Sequence, residues 1–227
     1  MSSVPAPARR AALITAVALT GMAVVAIQPG IVVAPGVVVP GDPAATAANV
    51  AADLEGFRIV VLRHVAVVVL DVVVAWSLYE LLRPVNRGLS LLAAWFRLGY
   101  SLAYWVAVAH LLRVPGLLDP TRTGLTGTDM ELHVHAALEA FSVGWASSFV
   151  LFGIHLLLVG ALAFKADYMP KILGLLVAVC GLGWLADAFG AFLLPETWHP
   201  VFVFTSLGEL LLIPWGFWIA KRDGLRG

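Results

Sequence analysis

The sequence predicts an all-α fold: a polytopic membrane bundle of six transmembrane helices with both termini cytoplasmic. Three observations predict it. Of 227 residues, 61% are hydrophobic and 12% charged, with a mean hydropathy of +0.94, whereas a soluble domain carries about 25% charged and roughly 45–50% apolar residues. The apolar residues fall in long continuous runs rather than in strand-like alternation, and in lipid a helix satisfies its own backbone. Lys and Arg concentrate on alternate connections between the runs, as the positive-inside rule requires. The same arithmetic excludes other classes. Lys plus Arg and Asp plus Glu are 14 each, so the basic footprint of a nucleic-acid binder is missing. The high hydrophobicity excludes a disordered chain. Cys180 is the one cysteine, which removes an intrachain disulfide, a cysteine-based zinc site and a CxxC pair.

A crossing helix needs about 20 mostly apolar residues, and six runs supply them. The first, 11–28, follows Arg9 and Arg10 as a signal peptide would. It is long enough to span, and the clearest small-x-small site, Ala45-Thr46-Ala47, lies well beyond it, so it reads as a retained helix. Pro29-Gly30, Pro35-Gly36 and Pro40-Gly41 separate it from the second run, 57–82. Pro84 divides that from the third, 88–112, which ends before Pro115-Gly116. The fourth, 134–164, stops ahead of Pro170; the fifth, 172–194, at Pro195; the sixth, 201–220, follows Pro200. These are chain breakers. Residues 1–227 thus read as a single transmembrane domain. Segments 29–56 and 113–133 exceed a tight connection and are expected to form an outer cap. Trp198, Trp215 and Trp218 stand where interfacial aromatics belong.

With the amino terminus inside, the cytoplasmic segments hold Arg9, Arg10, Arg83, Arg87, Lys165, Lys171, Lys221, Arg222 and Arg226. The outer side holds Arg58, Arg63, Arg113 and Arg122, nine against four. Dropping one span would scramble the alternation.

Ionisable residues inside spans are costly and face a bundle interior or a cavity. Asp71 is 12 residues from Arg83, Arg97 10 from Arg87, His155 10 from Lys165 and Glu209 12 from Lys221. At about 1.5 Å per residue, all four lie roughly 15–18 Å above the inner boundary, in one midplane layer drawn from four helices. Asp187, 16 residues from Lys171, sits a little further out. Arg97 shares a helical face with Tyr100, Ser101 and Tyr104, and Glu209 one with Thr205 and Ser206. His155 lines up with Ser148 and Gly144, Asp187 with Cys180, Gly183, Trp184 and Gly190. The candidate midplane site is therefore Asp71, Arg97, His155, Asp187 and Glu209 with Tyr100 and Tyr104. Three acids face one Arg, so at least one carboxyl is expected to hold its proton, because burial disfavours the charged form. A structural ion-pair network and a proton relay or substrate site both fit this pattern.

A second constellation gathers at the outer side. His64 and His110 reach that boundary, His133 and His199 lie in outer loops, and His135 opens the fourth span. His135 and Glu139 are four apart, a spacing that lets two ligands meet one metal. His64, His110, His135 and Glu139 are thus weak metal candidates beside a reading as scattered interfacial histidines. Neither an HExxH motif nor another identifiable cofactor signature is present. Cys180 reads as a small core residue, Glu80 as an interfacial acid beside Arg83, and Pro214 as a kink just past Glu209.

Four segments carry a resemblance: LDVVVAWSLYELLRPVNRGLSLLAAWFR over 70–97, FGIHLLLVG in the fourth span, PKILGLLVAVCGLGWLADAFG in the fifth and SLGELLL in the sixth. In order and spacing they resemble the six-span bacterial membrane proteins of domain-of-unknown-function family 4386, over about residues 50–222. The resemblance implies a six-helix inner-membrane protein and supplies no activity, cofactor or catalytic residue. Arg97, His155, Asp187 and Glu209 fall in these segments. Eleven Arg against three Lys, with abundant Ala and Val, suit a GC-rich bacterial genome.

The leading functional expectation is a small proton-linked transporter or ligand-binding membrane protein with its site at the midplane, where transporters commonly bind substrate and coupling ion. Its partners would be the lipid bilayer and a small molecule or proton. The alternatives are an intramembrane enzyme at the outer histidines, with or without a metal, and a structural or accessory subunit.

Overall fold

The computed structural model describes residues 6–27, 37–194 and 197–222; Gln28, Pro29-Gly30, Pro35-Gly36, Pro195 and Arg226 of the sequence reading lie outside them. In chain order the helices are α1 (Ala6–Ile27), α2 (Pro43–Ala52), α3 (Leu54–Leu82), α4 (Arg87–Leu117), α5 (Pro120–Thr123), α6 (Gly127–Lys165), α7 (Lys171–Leu193), α8 (Phe202–Thr205), α9 (Leu207–Leu210) and α10 (Leu212–Arg222). Strands do not occur among the described residues. Helices α1, α3, α4, α6 and α7 are long and apolar enough to cross a membrane. Large apolar side chains lie bare along them, among them Trp95 at 68%, Leu102 at 68%, Val143 at 70% and Phe192 at 80% exposure. In water such surface would drive association; lipid covers it. The chain is an all-α polytopic membrane protein.

Four features depart from the expected boundaries. The outer segment 29–56 contains a helix, α2. Asp42 caps it by accepting from Ala45 N at 2.9 Å, and Pro43 supplies a first-turn residue with φ already set. The third span does not stop at 112: α4 runs through Pro115 to Leu117, and Leu118 N still donates to Val114 O at 3.2 Å. The fourth begins at Gly127, seven residues early, because the polar turn with Asp129 in its first turn favours the positive helix end. At 39 residues α6 is about 58 Å long, well beyond the roughly 30 Å of hydrocarbon. The sixth expected span, 201–220, comprises three pieces, α8, α9 and α10, which meet at Ser206 and Leu211. Both residues have right-handed helical backbone angles, and helical hydrogen bonds pass both junctions, Leu210 N donating to Ser206 O at 3.4 Å and Trp215 N to Leu211 O at 3.3 Å. Pro214 lies in the first turn of α10, where the missing N–H costs least.

The chain divides into two compact units. The first comprises Met1–Gly21, Val69–Ser101 and Ala146–Gly227; the second Met22–Val68 and Leu102–Trp145. In the first, α6 and α7 meet along glycines. A Cβ on Gly160 would stand 2.7 Å from Ala178 N and 2.8 Å from Gly174 O, and one on Gly181 2.7 Å from Gly153 O. Such positions let backbones approach closely in lipid. α7 also packs against α8 and α9. Polar ties set the remaining registers. Thr15 and Ser77 hydroxyls bond at 2.7 Å between α1 and α3. Ser90 Oγ donates to Tyr79 O at 3.0 Å between α4 and α3. Tyr168, in the α6–α7 connection, donates to Leu81 O at 2.6 Å, and burial pushes its phenol up to about 12.

Candidate functional site

The first unit buries a charge cluster around Arg97 of α4, whose side chain has no exposed surface. Nε and Nη2 donate to the same oxygen of Asp71 on α3, Oδ1, at 2.9 and 2.6 Å. Nη1 donates to Glu209 Oε1 on α9 at 3.0 Å and lies 3.3 Å from His155 Nε2 on α6. The guanidinium carbon stands 5.3 Å over the ring of Phe152, one turn before His155 on α6. Three helices besides α4 thus converge on one cation, as the depth reckoning expects. Asp71 is fully buried, and its Oδ2 has no hydrogen-bond partner among the described residues; Glu209 is 19% exposed.

Hydrogen-bond bookkeeping sets the state of His155. Its Nδ1 lies 2.8 Å from Ala93 O, which can only accept, so Nδ1 carries the proton. Arg97 can only donate, so Nε2 offers it a lone pair. The imidazole is neutral in this arrangement and does not offset a carboxylate. The cluster then holds one fixed positive charge against two carboxyls.

Three of the expected members go elsewhere. Asp187 of α7 does not bond Arg97. Its Oδ1 accepts from Trp198 Nε1 at 3.1 Å and Val201 N at 2.7 Å, and its Oδ2 from Phe202 N at 2.8 Å. It caps the run that opens α8, satisfying backbone donors that a helix start leaves orphaned. Trp198, read as an interfacial aromatic, is held there by this bond and lies against Gly190, where a Cβ would collide with its ring. Tyr100 packs its ring 4.7 Å from that of Phe152. Tyr104 belongs to the second unit and pairs with His64 Nδ1.

That second unit contains its own cluster. His64 is fully buried within the protein. The rings of Tyr104, Phe141 and Trp145 surround it at centroid separations of 5.8, 5.0 and 6.2 Å. His135 contacts Glu139 at 3.3 Å, as their spacing allows, and Thr46 Oγ1 of α2 at 3.1 Å. His110 is half-buried. Among the described residues, no three His, Cys, Asp or Glu side chains group closely enough to hold a metal; His64, His110, His135 and Glu139 do not form one ligand set. Sequence reasoning missed Phe152, although its place three residues before His155 puts it on the same helical face. Cys180 is buried, as expected, and Glu80 pairs with Arg83 at 3.0 Å.

The family model of a domain of unknown function, DUF4386, matches residues 14–220. The chain belongs to this family. DUF4386 membership covers every residue of the Arg97 cluster. An uncharacterised protein of the archaeon Archaeoglobus fulgidus is 32% identical over 151 residues, 66% of this chain and 76% of that protein. No solved structure matches the chain.

Proposed function

We propose that this DUF4386 protein is a small proton-linked transporter or ligand-binding protein of the bacterial inner membrane. In this reading it is a single transmembrane domain that crosses six times, residues 202–222 forming the last crossing, with both termini in the cytoplasm. The observation that carries the reading is the charge count around Arg97: one guanidinium, two carboxyls and a neutral imidazole. With both carboxyls ionised, a layer shielded from water holds one surplus negative charge, and taking up one proton removes it. Glu209 is the proton carrier. It is the exposed acid of the pair, at 19% against 0% for Asp71. It sits on α9, which packs against α7: a Cβ on its neighbour Gly208 would stand 2.2 Å from Leu176 O. Four of the five N–H groups of Arg97 are engaged by Asp71, Glu209 and His155, which makes it the counter-ion of the cluster.

The test is Glu209→Gln, which mimics the protonated acid. We expect near-wild-type thermal stability, loss of one protonated-carboxyl infrared band that the wild type shows on acidification, and loss of pH-driven uptake in proteoliposomes carrying an internal pH dye. Lowered stability with no infrared difference would instead identify a purely structural network. A wild type in which no carboxyl titrates above the solution range near 4 sinks the proton-linked reading.

A further inference from the structure

A crevice of about 380 Å³ opens between the start of α1 and the end of α3, inside the first unit. Pro7, Ala11 and Ile14 form one wall, Trp76 and Glu80 the other, and Arg10 stands beside them. The Thr15–Ser77 bond pins the two helices. Arg10, five residues before Thr15, and Glu80, three after Ser77, therefore lie toward the same end, about 8 and 5 Å along the helix axes. That end gathers Arg9, Arg10, Arg83 and Arg87, the headgroup level of the proposed topology.

The chemistry along the crevice is ordered. Arg10 is exposed and makes no ion pair among the described residues. Glu80 receives Arg83 on Oε2 at 3.0 Å, which leaves Oε1 able to accept. Trp76, one turn deeper than Glu80 on the same face, is 53% exposed and carries an indole N–H. Pro7 and Ala11 are short, and they leave the space open. A free cation, a half-satisfied anion and an amphipathic ring thus follow one another from the charged end toward the apolar interior.

We propose that this crevice binds one phospholipid with a phosphoethanolamine headgroup. The phosphate meets Arg10, the primary ammonium donates to Glu80, and an acyl chain runs beside Trp76 and Ile14. A choline headgroup carries no N–H to donate to a carboxylate, and a glycerol headgroup carries no cation to set against Glu80. The proposal rests on the membrane reading above, in which the start of α1 lies at headgroup level.

Native mass spectrometry of the purified full chain tests it, with equimolar phosphatidylethanolamine, phosphatidylcholine and phosphatidylglycerol of identical acyl chains. One retained lipid is expected, the ethanolamine form favoured about tenfold, the worth of one charge-assisted hydrogen bond. Arg10→Gln should lower retention of every phospholipid, whereas Glu80→Gln should keep lipid but erase the ethanolamine-over-choline preference. Neither residue is in the core, and unchanged melting of both variants confirms folding. Equal retention of the three lipids by the wild type overturns the proposal, as does an ethanolamine preference untouched by both substitutions. Free phosphoethanolamine competing as well as the intact lipid would overturn the lipid source. Failure of the membrane reading shows separately, as a chain that remains dispersed without detergent.

Discussion

At the residue scale, Arg97 decides more than any other side chain. A buried guanidinium without partners is costly; here four contacts, to Asp71, Glu209 and His155, and the face of Phe152 replace its hydration. Arg97→Leu should destabilise the fold by about 3–5 kcal/mol, because it strands Asp71 and Glu209 without their counter-charge. Arg97→Leu with Asp71→Leu should cost less than the two changes summed. Melting of the four proteins in one detergent measures the cycle, and simple additivity would show that the pair does not act as a unit. Asp187 makes the contrasting case. Its depth and acidity mark it for the same cluster, yet its two oxygens serve Trp198, Val201 and Phe202. Asp187→Ala should lower stability by about 1–3 kcal/mol through unsatisfied donors. It should also loosen Trp198, seen as altered tryptophan fluorescence, and leave the Arg97 infrared signature in place.

At the scale of elements, close glycine contacts tie both α6 and α9 to α7. Gly160 and Gly174 let α6 and α7 touch backbone to backbone, so nothing flexible stands ready to yield. Gly160→Val should cost about 1–3 kcal/mol or more by overpacking. Gly116→Ala, on α4 with open space around the new Cβ, should be nearly neutral in the same melting assay. Equal effects would refute the close-packing account. Residues 202–222 form α8, α9 and α10, joined at Ser206 and Leu211, and Gly208 seats α9 against the backbone of α7 at Leu176. Glu209 therefore stands on a closely packed turn, while Asp71, Arg97 and His155 stand on helices of 29, 31 and 39 residues.

At the scale of the whole molecule, the alternation of basic residues in the sequence gives the proposed topology a direct test. Reporter fusions at residue 1 and at residue 227 should both give cytoplasmic signals, and an external signal from either end would overturn the six-crossing topology. The membrane character was legible in the sequence because length and composition alone choose a helix in lipid. So was the meeting of Asp71, Arg97, His155 and Glu209: depth along a helix follows from counting residues, and a buried charge must find partners. Rotation about each helix axis was legible only in part. The polar faces read from residue spacing turn Arg97, His155 and Glu209 inward, but spans otherwise apolar on nearly every side do not say which neighbour Asp187 or Tyr104 meets. Tertiary packing therefore sent Tyr104 to His64, turned Asp187 toward the start of α8 and placed Phe152 beneath the guanidinium. Each of these depends on which neighbour a face meets, and a one-dimensional pattern of hydropathy does not contain that neighbour.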